Sequence, residues 1–224
     1  MCGLTGYWSK KRADPSLVEQ MGLMLKHRGP DDSGVFINTD KTLAIAHRRL
    51  SIIDVSTAGH QPMVSNCGRF ALAYNGEIYN HLDIREELKN SGFRLPWSGH
   101  SDTETLLASL CHWGVQDTLK RLNGMFAFSL WDDAEKTLTL ARDRMGEKPM
   151  YYGSVGNTFF FGSELSSFKP HPSWAGAINR DVVSLYLRHN YVPDPWSIYS
   201  GIQKLAPAHY VVISNDGKNV SEQI

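Results

Sequence analysis

A chain of 224 residues with 42% apolar and 21% charged side chains can bury its own core without disulfide or metal staples, which excludes a disordered or fibrous protein. Its 23 basic and 23 acidic residues cancel, so neither nucleic acid nor an anionic membrane is an expected partner, and small neutral molecules are favoured. Three cysteines, Cys2, Cys67 and Cys111, make an odd set with no C-x-x-C pair and no metal spacing; with no signal-like start and no apolar run of bilayer length, the chain reads as cytoplasmic and metal-free.

CGLTGYW at the start is the first of several short β-branched and aromatic segments bounded by turn residues, which read as strands. A helix follows, capped by Asp14 with Pro15 at its first position, placing Leu17, Met21, Met24 and Leu25 on one face and stopping at Gly29-Pro30. LAIAHRRLSII and RFALAYNG are the next strands, and a second helix is expected from about His81 to Asn90, ending at Gly92. Ser101-x-x-Glu104 is a capping box that opens a third helix with Leu106, Leu107, Leu110 and Cys111 on its buried side, and a fourth is expected from about Val115 to Leu122.

MFAFSLWD pairs with TLTLARD through DDAEK, and PMYYGS with TFFFGS through VGN, as adjacent antiparallel hairpins. Beyond Lys169 the character changes: PHPSW is turn-rich, NRDVVSLYLRHN is a capped amphipathic helix, VPDPW is held extended by its prolines, and HYVVISNDGK begins a hairpin. A soft boundary near Pro170 separates a core of residues 1–170 from an extension of residues 171–224 that completes the domain.

No phosphate-binding loop, dinucleotide fingerprint, nucleophile elbow or zinc-protease motif is present, so the chemistry must come from other residues. If the initiator methionine is removed, Cys2 carries a thiol and a free α-amine on one carbon, with reference pKa values of about 8.5 and about 7.7–8.0. The amine, directly or through a water, can then take the thiol proton near neutral pH, so no separate histidine base is needed. The plainer alternative is a chance small residue at a terminus.

Asn75-Gly76, in YNGEIYN, reads either as a tight hairpin turn or as a side-chain amide beside a backbone N–H, the donor pair an oxyanion requires, with glycine allowing close approach of a substrate. Arg49, ending an apolar strand, and Asp102, at a helix start, are candidates to hold opposite ends of a zwitterion; surface charge and simple capping are their alternatives. Among the nine scattered histidines, His27, His47 and His60 read as structural.

These signals occur together and in a fixed order: Cys2-Gly3, HRGPDDSG, AHRRLSIID, GHQPM, YNGEIYN, SDTE, GMFAF and ARDRMGEKPMYY. In this the chain closely resembles the glutaminase domain of class II glutamine amidotransferases, on the branch of the glutamine-hydrolysing asparagine synthetases, over nearly its whole length. The resemblance implies an α+β N-terminal-nucleophile hydrolase fold, a four-layer αββα sandwich of two mostly antiparallel sheets. It implies Cys2 as nucleophile, Asn75 and Gly76 as oxyanion hole, and Arg49 as the glutamine α-carboxylate holder. Glu77 and Asp102 would receive the α-ammonium, and the segment after Arg49, Leu50, Ser51, Ile52 and Ile53, would help line the pocket.

No cofactor is implied for these residues; ATP and Mg are expected only in a C-terminal synthetase domain that the sequence ends short of, which would be the chain's partner besides glutamine, and a homodimer stays open. The ammonia acceptor implied is an activated carboxylate such as aspartate; a sugar acid in surface-polysaccharide synthesis and a non-catalytic glutamine-sensing domain are the competing readings. The family's Pro-Gly before its last strands stands here as Pro207-Ala208.

Overall fold

In the computed structural model, residues 1–94, 96–214 and 219–223 are described. The first strand, β1 (Gly3–Ser9), is buried along its whole length, because both of its faces are covered. Leu4 and Trp8 face one way, into a core shared with Trp131 and Leu140, while Tyr7 faces the other, toward Val18 and Met21 of helix α1 (Pro15–Leu23). A near-continuous apolar run is the sequence pattern that such a doubly covered strand needs.

β1 lies inside a six-stranded sheet with β2 (Asp32–Ile37), β3 (Leu43–Arg49), β8 (Tyr151–Val155), β9 (Thr158–Gly162) and β10 (Ile202–Lys204), in the order β10-β8-β9-β1-β3-β2. The second sheet contains β4 (Met63–Val64), β5 (Phe70–Ile78), β6 (Gly124–Asp132), β7 (Thr137–Arg142), β11 (Tyr210–Ser214) and β12 (Asn219–Gln223), in the order β12-β11-β7-β6-β5-β4. Every pairing in both sheets is antiparallel.

Alternation sorts the side chains into layers. On β5, Ala71 and Ala73 join the core between the sheets, and Leu72, Tyr74 and Ile78 pack outward against α2 (His81–Asn90) and α3 (Asp102–Arg121). Trp8 and Trp131 meet edge to face across the sandwich with ring centroids 5.1 Å apart. With α1 on the outside of the first sheet, the order of layers is helix, sheet, sheet, helices, the αββα sandwich the resemblance implies.

Several expectations shift in detail. α1 ends at Leu23 rather than at Gly29, so Met24 falls outside its apolar face and is exposed while Leu25 is buried. The third and fourth helices expected from the sequence are both present, written together as α3 and separated by a break at Gly114, whose φ of 76° lies in the region that favours glycine. The strand expected over LAIAHRRLSII stops at Arg49. The turn of the last hairpin, Asn215 to Lys218, lies outside the described residues. Residues beyond Pro170 contribute α4 (Arg180–His189), add β10 to one sheet, and add β11 and β12 to the other.

Candidate active site

Cys2 sits one residue ahead of β1, where the pairing of Gly3 with Arg48 brings the N-terminus beside the end of β3. Its Sγ accepts from the Leu50 N–H at 3.4 Å and lies 3.7 Å from the Leu50 carbonyl. Burial pushes the thiol up, opposed by the Leu50 N–H and by the positive charges of the N-terminus and Arg49. The Arg28 guanidinium fixes this segment from the other side: Nε donates to the Cys2 carbonyl at 2.8 Å and Nη1 to Glu164 Oε1 at 2.8 Å.

β5 supplies the facing wall. Asn75-Gly76 forms no hairpin turn; the strand continues through Ile78, paired to β6 with Asn75 opposite Ala127 and Gly76 opposite Phe126. The glycine has a packing reason: a Cβ on residue 76 would stand 2.3 Å from the Met125 carbonyl oxygen, so the paired backbone excludes it.

Along β5 the Tyr74 N–H donates to Gln61 Oε1 at 2.7 Å, and the Ile78 N–H donates to Asp102 Oδ2 at 3.0 Å. Antiparallel alternation directs the Gly76 N–H to the same edge, midway between two occupied donors. The Asn75 side chain is 1% exposed, and its Nδ2 has no hydrogen-bond partner among the described residues. His47 steadies this stretch across the sandwich: its Nε2 donates to the Tyr74 carbonyl at 2.9 Å, and burial pulls the imidazole down to about 4, so it is neutral.

Arg49 is buried, with Nη1 donating to the Ser56 carbonyl at 2.9 Å and Nη2 to the Asp54 carbonyl. Asp54 is itself tied by the Ser56 hydroxyl and the N–H groups of His100 and Ser56, which hold its carboxyl down at about 2. Asp102, in the first turn of α3, accepts from the Tyr74 hydroxyl at 2.6 Å. Burial first, and the Asp102 charge second, push the Tyr74 phenol far above its ordinary value, so it remains a donor.

Cys2, Arg49, Asn75, Gly76, Glu77 and Asp102 all line one cavity of about 250 Å³, and Leu50, Ile52 and Ile53 form part of its wall. Ser51 stands apart: its N–H donates to Asp31 Oδ2 at 2.8 Å and it faces a neighbouring hollow. Residues that the sequence does not single out for the site also line it, among them Gln61, Tyr74, Thr103 and Lys148, although each lies inside or next to a quoted motif. Lys148 is 5% exposed, and its Nζ lies 3.4 Å from Met1 Sδ. Among the described residues no cluster of His, Cys, Asp and Glu is placed to hold a metal, and no helix is long and apolar enough to cross a membrane.

The profile of the glutamine amidotransferase domain family matches residues 1–223. Asparagine synthetase [glutamine-hydrolyzing] 3 of Bacillus subtilis is 36% identical over 98% of this chain and 36% of its own length. A putative asparagine synthetase [glutamine-hydrolyzing] 2 of Methanocaldococcus jannaschii is 34% identical over 98% of this chain and 45% of its own. The chain thus spans under half the length of these curated relatives. Among solved structures, glutamine phosphoribosylpyrophosphate amidotransferase of B. subtilis superposes with a TM-score of 0.71 at 22% identity, over 99% of this chain and 49% of that one. At that identity the likeness bears on the fold alone, which is that of the N-terminal-nucleophile hydrolases.

Proposed function

This chain belongs to the glutamine amidotransferase domain family, and from that premise we propose that it hydrolyses glutamine to glutamate and ammonia with Cys2 as nucleophile. The observation that carries the proposal is the pairing, in one cavity with Cys2, of an unpartnered buried Asn75 amide and the edge-facing Gly76 N–H. A buried donor left without a partner costs about 1–3 kcal/mol. Two such donors facing a nucleophile are what a developing oxyanion needs, held in place before the reaction begins.

Removal of Met1 frees the Cys2 α-amine, which takes the thiol proton. The thiolate attacks the side-chain amide carbon, and the oxyanion accepts from Asn75 Nδ2 and the Gly76 N–H. The protonated α-amine gives its proton to the leaving nitrogen, the C–N bond breaks, and ammonia departs. Water, deprotonated by the same amine, then opens the glutamyl thioester and releases glutamate.

Recognition follows from charge. Arg49 receives the α-carboxylate with the guanidinium N–H groups that the loop carbonyls leave free. Glu77 and Asp102 receive the α-ammonium; with its Oδ2 committed to Tyr74 and Ile78, Asp102 presents its other oxygen. Leu50, Ile52 and Ile53 cover the aliphatic stem.

In a longer chain, ammonia would pass to an ATP-activated carboxylate, aspartate being favoured because the relatives are named asparagine synthetases, with ATP and Mg held outside the present residues. The setting proposed is the cytoplasm, which suits three free thiols, and a homodimer is a reading for solution mass measurement. The experiment is ammonia release from glutamine by the Met1-free chain and by Cys2→Ala. Loss of turnover with retained glutamine binding supports the assignment; turnover surviving Cys2→Ala refutes it.

A further inference from the structure

A second cavity, of about 190 Å³, opens between the β4–β5 turn and the outer face of α3, walled by Phe93, Trp97 and Leu107, and both remaining cysteines line it. Cys67 is at the exposed tip of the turn, and Cys111 is on α3. The nucleophilic site uses neither. Ser65 lines the same cavity, with its Oγ 3.3 Å from Cys67 Sγ. The two cysteines thus face one mostly apolar pocket, brought together from positions 44 residues apart by the packing of α3 on the second sheet.

We propose that Cys67 and Cys111 are a redox-modifiable thiol pair that closes to a disulfide when a peroxide enters this cavity. The environments assign the order of events. The Ser65 hydroxyl first, then the backbone N–H of Arg69, lower the Cys67 thiol, making it the sulfur that attacks. Although Cys111 is exposed at the surface, desolvation by the apolar neighbours first, and then the Cys67 charge, push its thiol up to about 11, so it stays protonated while Cys67 is a thiolate.

The Cys67 thiolate attacks one oxygen of hydrogen peroxide; the S–O bond forms, the O–O bond breaks, and hydroxide leaves as water after taking a proton. The resulting sulfenic acid is neutral, so the like charge that helped hold Cys111 protonated is gone. The Cys111 sulfur then attacks the sulfenic sulfur; the S–S bond forms, the S–O bond breaks, and the departing hydroxide carries away the Cys111 proton as water. Two thiols lose two electrons in all, and one peroxide becomes two waters. The turn accommodates closure because Cys67 sits at its tip beside Gly68, whose φ of 73° marks a tight bend exposed to solvent.

The test uses Cys2→Ala, so that these two thiols alone remain. Brief exposure to hydrogen peroxide should lower the intact mass by two hydrogen atoms, link the peptides bearing Cys67 and Cys111, and be reversed by dithiothreitol. Cys111→Ser in the same background should leave Cys67 as a sulfenic acid trapped by dimedone, whereas Cys67→Ser should leave Cys111 unmodified. Oxidation of each thiol at the same rate with or without the other, or links formed only between separate chains, would overturn the proposal.

Discussion

The Tyr74 hydroxyl donates to Asp102 Oδ2 at 2.6 Å, joining the strand that carries Asn75 and Gly76 to the first turn of α3. With the Ile78 N–H on the same oxygen, the donors proposed for the oxyanion and the carboxylate proposed for the ammonium form one rigid unit. In a glutamine bound as proposed, the spacing between the side-chain amide and the α-ammonium would thereby be set by packing rather than by mobile loops. Asp102→Asn should raise KM for glutamine about 10–100-fold, the loss of one charge-assisted contact of about 1.5–3 kcal/mol, and steady-state ammonia release reads it. An unchanged KM would remove Asp102 from the pocket.

Asn75→Ala should separate rate from stability. Turnover should fall roughly 10²–10³-fold, about 2.7–4 kcal/mol, with KM little altered. Because Nδ2 has no partner among the described residues, the same change should leave urea stability within about 1 kcal/mol of the parent. A large loss of stability would mean that the amide serves the fold.

Arg49→Lys should weaken glutamine binding and loosen the neighbouring loop together. The guanidinium donates to the carbonyls of Asp54 and Ser56, a fork that an ammonium cannot reproduce. Isothermal titration with Cys2→Ala as the background should show a higher Kd, and limited proteolysis should cut residues 50–56 faster. An unaltered Kd would argue against the carboxylate role.

Acid should destabilise the chain through His47. Its imidazole is held at about 4 in the fold, against 6.5 when free. Between those values the unfolded chain binds the extra proton, so stability is full above about pH 6.5 and falls as pH drops toward 4, by about 3 kcal/mol. Urea midpoints measured across that window should decline, and His47→Gln, which keeps a donor for the Tyr74 carbonyl, should flatten the decline. An equal slope in both proteins would assign the acid sensitivity elsewhere.

Ala208 occupies a left-handed conformation, with φ of 62°, while its N–H donates to the Asp143 carbonyl at 2.9 Å. A Cβ is strained there, so Ala208→Gly should raise stability by about 0.5–1 kcal/mol once the greater freedom of glycine in the unfolded chain is offset. Thermal unfolding reads the change, and a lower midpoint would contradict it.

The sequence carried the layers of this sandwich because doubly covered strands such as GLTGYWS and TFFFG must be apolar along their length, and because caps such as Asp14 and Ser101 act locally. Contacts made across the sandwich were not legible. Gln61 reaches Tyr74, and His47 reaches the same residue from the other sheet, through pairings that no local pattern encodes. Of the two readings that Asn75-Gly76 allows, the hairpin turn that the dipeptide favours gives way to a continuous strand, because pairing along β6 overrides the local preference. The resemblance places Ser51 with Leu50, Ile52 and Ile53 along the pocket, yet the backbone turns its N–H toward Asp31.

Labelling the Met1-free chain with a diazoketone analogue of glutamine, then mapping the adduct by mass spectrometry, tests the central claim most directly. The account predicts one label per chain, on the Cys2 sulfur, suppressed by glutamine and absent when Met1 is retained. Labelling of Cys67 or Cys111 instead, or equal labelling of Cys2 with Met1 still attached, would contradict it.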